Sequence, residues 1–410
     1  IVAVDMRRMH RILWIDRENL RACVEAGIRG MDLEEQLNRE GFTCGHEPDS
    51  IELSTLGGWI ATKASGMKKN RYGNIEHLVE QLTLVTPRGV VGNLHPFPRT
   101  SQGIEPELLA FGSEGNLGII TKAVIKLFPK PEVTKYGSLV FPTFELGVQF
   151  LEELAHTDFI PASIRLVDNI QFKFALALKG LSSGFQEAKE ALEKLIVTKL
   201  LGFDPDRMVA ATIVMEGSRQ EVNYQQKHLF ALAKKYHGVS GGADAGRRGY
   251  MLTYAIAYIR DFVARYHIIG ETFETSAPWS KILPVCKAVE DRATEEHKKY
   301  RLPGKFYVSY RITQVYQTGA CIYFMMGLYM KGVENPAETF GRMERSLRRA
   351  ILESGGSISH HHGVGKLRAP FMTEVLTPGG IDLVRQLKGT ADPKNTFGIG
   401  NNIFCKEFPA

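Results

Sequence analysis

The stretch GHEPDSIELSTLGGWIATKASGMKKNRYGN, residues 45–74, decides how this chain is read. Glycine, serine, threonine and asparagine crowd it, and segments of strand character lie on both sides. Small residues let the backbone come close to a ligand, and their N–H and hydroxyl groups suit a pyrophosphate. A second run, FGSEGNLGIIT at 111–121, sets glycines at 112, 115 and 118. That spacing is not the G-x-G-x-x-G of a doubly wound dinucleotide fold, so a Rossmann reading is weak. Taken singly, both runs are also what ordinary turns look like.

Working outward, RILWID and LRACVEAGI flank the turn RENL and read as a hairpin. DLEEQLNREG reads as a helix, with Asp32 and Glu35 as a capping box and Gly41 as its stop. LVEQLTLVTPRGVVG is strand, Pro-Arg-Gly turn, strand, and GIITKAVIKLFP is a further strand. The linker FPKPEVTK then changes the rhythm. Strands YGSLVFP, PASIRLVDN, MVAATIVMEG, KFYVSYRIT and ACIYFMMGLYM follow. Between them come helices TFELGVQFLEELAH and RQEVNYQQKHLFALAKKYH and a helical stretch near 185–200; PAETFGRMERSLRRAILESGG closes the series. The glycine-rich HGVSGGADAGRRGY, 237–250, is expected to be a mobile loop. The fold class is α+β: short strands and helices to about 133, an antiparallel sheet with helices on one side over 134–354, and a C-terminal segment, 355–410, returning to the first part.

Composition excludes several classes. The chain has 410 residues, enough for two domains, and 44% hydrophobic with 23% charged residues is ordinary for a globular core. Five scattered cysteines imply no disulfide framework. No apolar run reaches the roughly 18 residues of a membrane span. The net charge of +6 is spread, and no nucleic-acid motif is present.

SISHHHGVGK, 357–366, carries His360, His361 and His362. A metal site is disfavoured, because on an extended chain His360 and His362 face one way and His361 the other. A Walker loop fails, because His360 stands where its glycine belongs and Leu367 where its Ser or Thr belongs. Imidazoles beside a glycine turn and Lys366 suit proton transfer or an anionic substrate.

STLGGWIAT, ASG, YGN and GSEGNLGIIT together resemble the second half of the FAD-binding domain of the vanillyl-alcohol-oxidase family. PASIRLVDN, RGYMLTYAIAYIRD, ETFETSAPW, TGACIYF, GGSISHHHGVGKLR and DPKNTFG narrow this to its ether-lipid-forming branch, the alkylglycerone-phosphate synthases. The resemblance implies non-covalent FAD and exchange of the acyl group of 1-acyl-dihydroxyacetone phosphate for a long-chain fatty alcohol. Fatty acid is released and the plasmalogen precursor forms, without net oxidation, through a flavin N5 adduct. It also implies a homodimer, a peripheral membrane surface and a peroxisomal setting, and no nucleic-acid partner.

Site roles follow by matched motif. Tyr323 of ACIYF is implied as the acid/base, with a buried strand tyrosine as the bland alternative. His360, His361 and His362 are expected at the flavin. Arg260 of YIRD and Arg165 of SIRLVDN are implied substrate arginines; their alternatives are pairing with Asp261 and with Asp168. Lys366 is a phosphate candidate or a solvated lysine. FAD is expected against Asp49, Ser50, Ile51, Glu52, Leu53, Ser54 and Thr55; against Thr62, Lys63, Ala64 and Ser65; and against Gly112, Ser113, Glu114, Gly115, Asn116, Leu117 and Gly118. Cys321 reads as packing. The family's upstream pyrophosphate loop and targeting signal have no counterpart here, and KEFPA is not a Ser-Lys-Leu address. The chain therefore reads as the later part of a longer protein, expected to bind FAD poorly alone. Two other classes stay open: an FAD-linked 2-hydroxy-acid dehydrogenase or oxidase of the same fold, and a catalytically incomplete fragment.

Overall fold

The computed structural model describes residues 2–177, 201–398 and 400–405. The helix expected near 185–200 lies outside them. The chain forms two compact units, Ile1–Lys130 with Ile358–Ala410, and Pro131–Ser357.

The first unit is built on a five-stranded antiparallel sheet. Strands β1 (Ile12–Asp16) and β2 (Arg21–Glu25) form the expected hairpin. Its turn is closed by the Asn19 N–H donating to Asp16 Oδ1 at 3.0 Å, with Leu20 in the left-handed region. After the short β3 (Phe42–Thr43) come β4 (Val79–Thr86), β5 (Gly89–Val91), β6 (Ile119–Lys126) and β7 (Phe128–Pro129). The sheet order is β1-β2-β6-β4-β5, so the buried Ala22, Cys23 and Val24 of β2 sit between two neighbours. The first helix differs from expectation at its start. It spans Gly30–Arg39 with Arg29 as cap, and no capping box forms. Asp32 binds the Arg29 guanidinium instead, at 2.8 and 2.9 Å. Loop carbonyls take its first amides in place of a side-chain cap, Gly30 N–H to Ser54 at 3.0 Å and Met31 N–H to Ile51 at 2.9 Å, and Gly30 is packed so closely that a β-carbon there would lie 2.3 Å from the Trp59 indole.

The second unit holds seven antiparallel strands: β8 (Val133–Phe141), β9 (Ser163–Val167), β10 (Val209–Gly217), β11 (Val239–Ser240), β12 (Ile268–Pro278), β13 (Tyr307–Tyr316) and β14 (Gly319–Tyr329). Their order is β11-β8-β10-β9-β13-β14-β12. Alternation assigns the faces. Ala211 and Ile213 of β10, Ile164 and Leu166 of β9, and Ile322 and Phe324 of β14 enter one core. Among the described residues four helices close it: Phe144–Ala155, Arg219–Lys235, Ile282–Lys299 and Pro336–Glu353.

Two helices depart from the one-sided arrangement: Asn169–Ala177, whose Gln171 side chain donates to Ser309 Oγ at 3.2 Å on the opposite face, and a longer one. The stretch expected to be a mobile loop is helical from Ala243, and the helix runs to Ala264. It packs on the opposite face of the sheet, where a β-carbon on Gly249 would meet Thr212 Cγ2 at 2.4 Å and one on Gly246 the Gly137 carbonyl oxygen at 2.1 Å. Its glycines mislead a propensity argument. They are spaced to let the helix lie close against β8 and β10, and packing outweighs their intrinsic cost.

Candidate functional site

The opposite face of the second sheet is polar and buried. Ser163 and Arg165 of β9, Ser309, Arg311 and Thr313 of β13, Cys321 and Tyr323 of β14, and Glu274 of β12 are each at most 8% exposed. Strand register aligns three of them: Arg311 pairs with Tyr323, and Tyr323 with Glu274, in one row across three strands. The Arg311 guanidinium carbon lies 4.3 Å from the Tyr323 ring centroid. The Tyr323 hydroxyl donates to Thr272 Oγ1 at 3.0 Å. Arg311 also reaches Gln171 Oε1 at 3.5 Å. The neighbouring Cys321 thiol is pushed well up, first by burial and then by Glu274, while Arg311 and Arg165 oppose this. The thiol stays neutral, in keeping with a packing role, and it registers two cations and one carboxylate acting on the same patch.

Arg165 and Tyr323 therefore share a face. Asp168 is engaged elsewhere: its carboxylate accepts the N–H groups of Gln171 at 2.7 Å and Tyr310 at 3.0 Å. Burial nevertheless carries its pKa up to about 7, and the backbone hydrogen bonds pull the other way. Arg260 lies near the C-terminal end of the helix Ala243–Ala264 with an exposed guanidinium 3.9 Å from Asp261. At that separation and exposure the pair is worth little, which leaves the fork available to an anion.

In the first unit the three stretches matched to FAD converge on one short helix, Leu56–Thr62. Residues 49–55 lead into it, and Thr55 Oγ1 accepts the Gly58 N–H at 3.3 Å. Residues 62–65 leave it through Lys63 in the left-handed region, and Ser65 donates to Asn74 Oδ1 at 2.7 Å. The 112–118 loop docks on its last carbonyls, with Gly112 N–H to Ile60 at 3.2 Å and Glu114 N–H to Ala61 at 2.8 Å. Gly66 serves the backbone itself, letting the loop close: an added β-carbon would lie 2.8 Å from the Glu47 nitrogen.

The residues present fit a bound polar cofactor. Asn116 is 1% exposed, yet its Oδ1 has no hydrogen-bond partner among the described residues, and neither ring nitrogen of the buried His46 has one. Burial pulls the His46 pKa down to about 3, so its imidazole is neutral and packs edge-on against Trp59, centroids 4.7 Å apart. Such buried polar atoms are rare unless something outside the chain satisfies them. Gly112 and Gly115 leave open space where a β-carbon would stand.

The three histidines are not arranged as an extended chain would have them. The backbone bends through 360–362, and the rings pack in series. His360 Nδ1 lies 2.8 Å from His361 Nδ1, and the His361 and His362 rings are 4.5 Å apart. One of those two Nδ1 atoms donates and the other accepts, so the pair carries at most one proton between them at that contact. His362 and Lys366 are exposed, His360 and His361 half-buried. Beyond them, Glu114 accepts the N–H groups of Val364 and Gly365.

Sequence reasoning missed Arg311, Thr272, Glu274 and His46. The available signal was the charge alternating with apolar residues in SYRIT, since a charged residue within a buried strand needs a partner.

Residues 130–401 match the family described as FAD linked oxidases, C-terminal domain, and residues 1–94 match an FAD binding domain. The chain is 47% identical over 404 residues to alkyldihydroxyacetonephosphate synthase of Caenorhabditis elegans, covering 98% of this chain and 68% of that protein. The Trypanosoma brucei brucei enzyme of the same name is 32% identical, covering 98% and 64%. A solved alkyldihydroxyacetonephosphate synthase superposes with a TM-score of 0.80 at 31% identity, over 95% of this chain and 66% of that one. p-Cresol methylhydroxylase, at 16% identity and a TM-score of 0.66, shares the fold. The chain thus spans about two thirds of the length of the relatives it matches. On this likeness over nearly its whole length, the chain belongs to the alkyldihydroxyacetonephosphate synthase family of FAD-binding enzymes.

Proposed function

We propose that the protein exchanges the acyl chain of 1-acyl-dihydroxyacetone phosphate for a long-chain fatty alcohol. The products are 1-alkyl-dihydroxyacetone phosphate and fatty acid, the step that makes the ether bond of plasmalogen precursors. The observation that carries the reading is the buried row Arg311–Tyr323–Glu274, in a chain 47% identical to a synthase of that name. Tyr323 acts at its hydroxyl oxygen as acid and base, where a positioned group is typically worth 10²–10⁴ in rate. Thr272 and the cation over the ring hold that oxygen in place. Arg165 and Arg260 hold the substrate phosphate, since a guanidinium fork matches two of its oxygens. His360, His361 and His362 hand the alcohol's proton onward, so that alcohol loses a proton, carboxylate leaves and no electrons are gained or lost overall. FAD, held by residues 49–55, 62–65 and 112–118, supplies the electron-accepting ring the exchange requires. A peroxisomal setting, a homodimer and contact with a membrane surface belong to the same reading and are supported by the likeness alone. No helix among the described residues is long and apolar enough to cross a membrane.

The test is exchange of radiolabelled hexadecanol into acyl-dihydroxyacetone phosphate, run beside anaerobic visible spectra. Labelled ether product, with a flavin band that changes on adding the acyl substrate and no electron acceptor, supports the synthase. A flavin reduced by glycolate or lactate, with no ether product, would overturn it in favour of a hydroxy-acid oxidase.

A further inference from the structure

We propose that Glu114 is a positioning residue that latches the triple-histidine segment to the 112–118 loop. Glu114 sits at φ 50° between Gly112 at φ 71° and Gly115 at φ 75°. A left-handed backbone carries a steric cost that glycine escapes, and Glu114 bears that cost at the point from which its side chain reaches a distant segment. Its carboxylate spans 250 residues of sequence to accept two backbone N–H groups, Val364 at 2.7 Å on Oε1 and Gly365 at 2.9 Å on Oε2. Gly363 at φ 77° and Gly365 at φ 55° turn the chain so that these successive amides converge. A β-carbon on Gly363 would come within 3.0 Å of Oε1.

Converging amides of this kind bind phosphate. Here the chain fills the nest with its own carboxylate, one oxygen per amide. The amides beside Lys366 are therefore not free for a substrate phosphate, and any contribution from Lys366 comes from its own ammonium group. Glu114 is itself fixed, because its N–H donates to the Ala61 carbonyl at 2.8 Å. On the far side, the Gly365 carbonyl accepts the Asn402 N–H at 2.8 Å. His362 immediately precedes Gly363, so the latch sets the backbone from which the histidine rings project. Charge-assisted bonds to both amides make it stronger than a neutral pair would be.

The consequence for turnover rests on the acyl-for-alkyl exchange reading; the latch itself does not. Hydrogen exchange read by mass spectrometry over 357–368, in Glu114→Ala and Glu114→Gln, separates the two. Exchange at Val364 and Gly365 should rise about tenfold or more in Glu114→Ala. Glu114→Gln, with one acceptor oxygen and no charge, should fall between. Sodium acetate should restore protection in Glu114→Ala, because it returns a carboxylate to the nest, and sodium chloride at equal ionic strength should not. Unchanged exchange, or equal restoration by chloride, overturns the latch. In the exchange assay kcat should fall about tenfold with KM held, and recover with acetate. Loosened amides with kcat intact would overturn the positioning role. A wild-type protein with no exchange activity would defeat the functional reading and leave the amide result standing.

Discussion

The two units place their polar groups by different means. In the second, Arg311, Tyr323 and Glu274 are aligned by strand register, and the backbone ladder that fixes one fixes all three. In the first, the residues matched to FAD and the histidine segment are on loops, held by side-chain ties such as Glu114 to Val364 and Lys388 to the Asn116 carbonyl. Sheet-borne groups should therefore be changeable one at a time, without moving their neighbours. Loop-borne groups should depend on distant residues that never touch the chemistry.

The largest effect tests the sheet. Tyr323→Phe removes the hydroxyl and with it the bond to Thr272, so exchange should fall by about 10²–10⁴ while stability falls by about 1 kcal/mol. A paired rate assay and urea melt read both. A variant with full activity would refute Tyr323 as the proton carrier, and one that is poorly folded would refute the independence of the sheet site.

The loop side is tested by Lys388→Met. Lys388 is 7% exposed and reaches Asp392 Oδ2 at 2.5 Å and the Asn116 carbonyl at 2.7 Å. Asp392, at 2% exposure, also accepts the Thr396 and Phe397 N–H groups, each at 2.7 Å. Removing the cation leaves a buried carboxylate without its counter-charge, at a cost of about 3–5 kcal/mol. The urea midpoint should drop accordingly, and FAD retention should fall with it if this tie shapes the 112–118 loop. Unaltered FAD retention in the folded variant would separate the tie from the cofactor.

A smaller effect concerns pH. Asp168 has a folded-state pKa raised to about 7, mainly by burial, above its ordinary value. The folded chain then binds a proton that the unfolded chain has already released. This contribution to stability is present at low pH and is lost as pH rises toward 7. Asp168→Asn should flatten that slope between about pH 4 and 7 in melts run across the range. An unchanged slope would assign it to another group. The smallest effect is expected at Arg260→Ala, whose exposed guanidinium should change stability by no more than about 0.5 kcal/mol. A rise in KM for the acyl phosphate with kcat unchanged would then be a pure loss of binding, and an unaltered KM would remove Arg260 from the phosphate site.

Much of the fold was legible because its signals are local. The β1–β2 hairpin, the strand–turn–strand at β4–β5, and the helix Pro336–Glu353 follow from periodicity and turn residues. The helix Ala243–Ala264 was not legible, because its glycines answer to β8 and β10, which lie far away in sequence. The capping box at Asp32 failed for a similar reason: the Ser54 and Ile51 carbonyls, from a later loop, take the first amides of that helix. The candidate site divides in the same way. Tyr323, Arg165 and the three histidines could be picked out by motif, whereas Arg311, Glu274 and Glu114 acquire their roles only from what faces them.

The sequence by itself determined the α+β class, the alternating strands and the chemistry available: imidazoles, a strand tyrosine, arginines and glycine-rich loops. Those follow from side-chain type and near-neighbour spacing. Only the tertiary structure decided that Arg311 stands over Tyr323, that Asp168 faces backbone amides, and that Glu114 fills the nest beside Lys366. Each depends on strand register or on a contact across many residues, and the energy of burying a charge is fixed by the partner that folding brings to it.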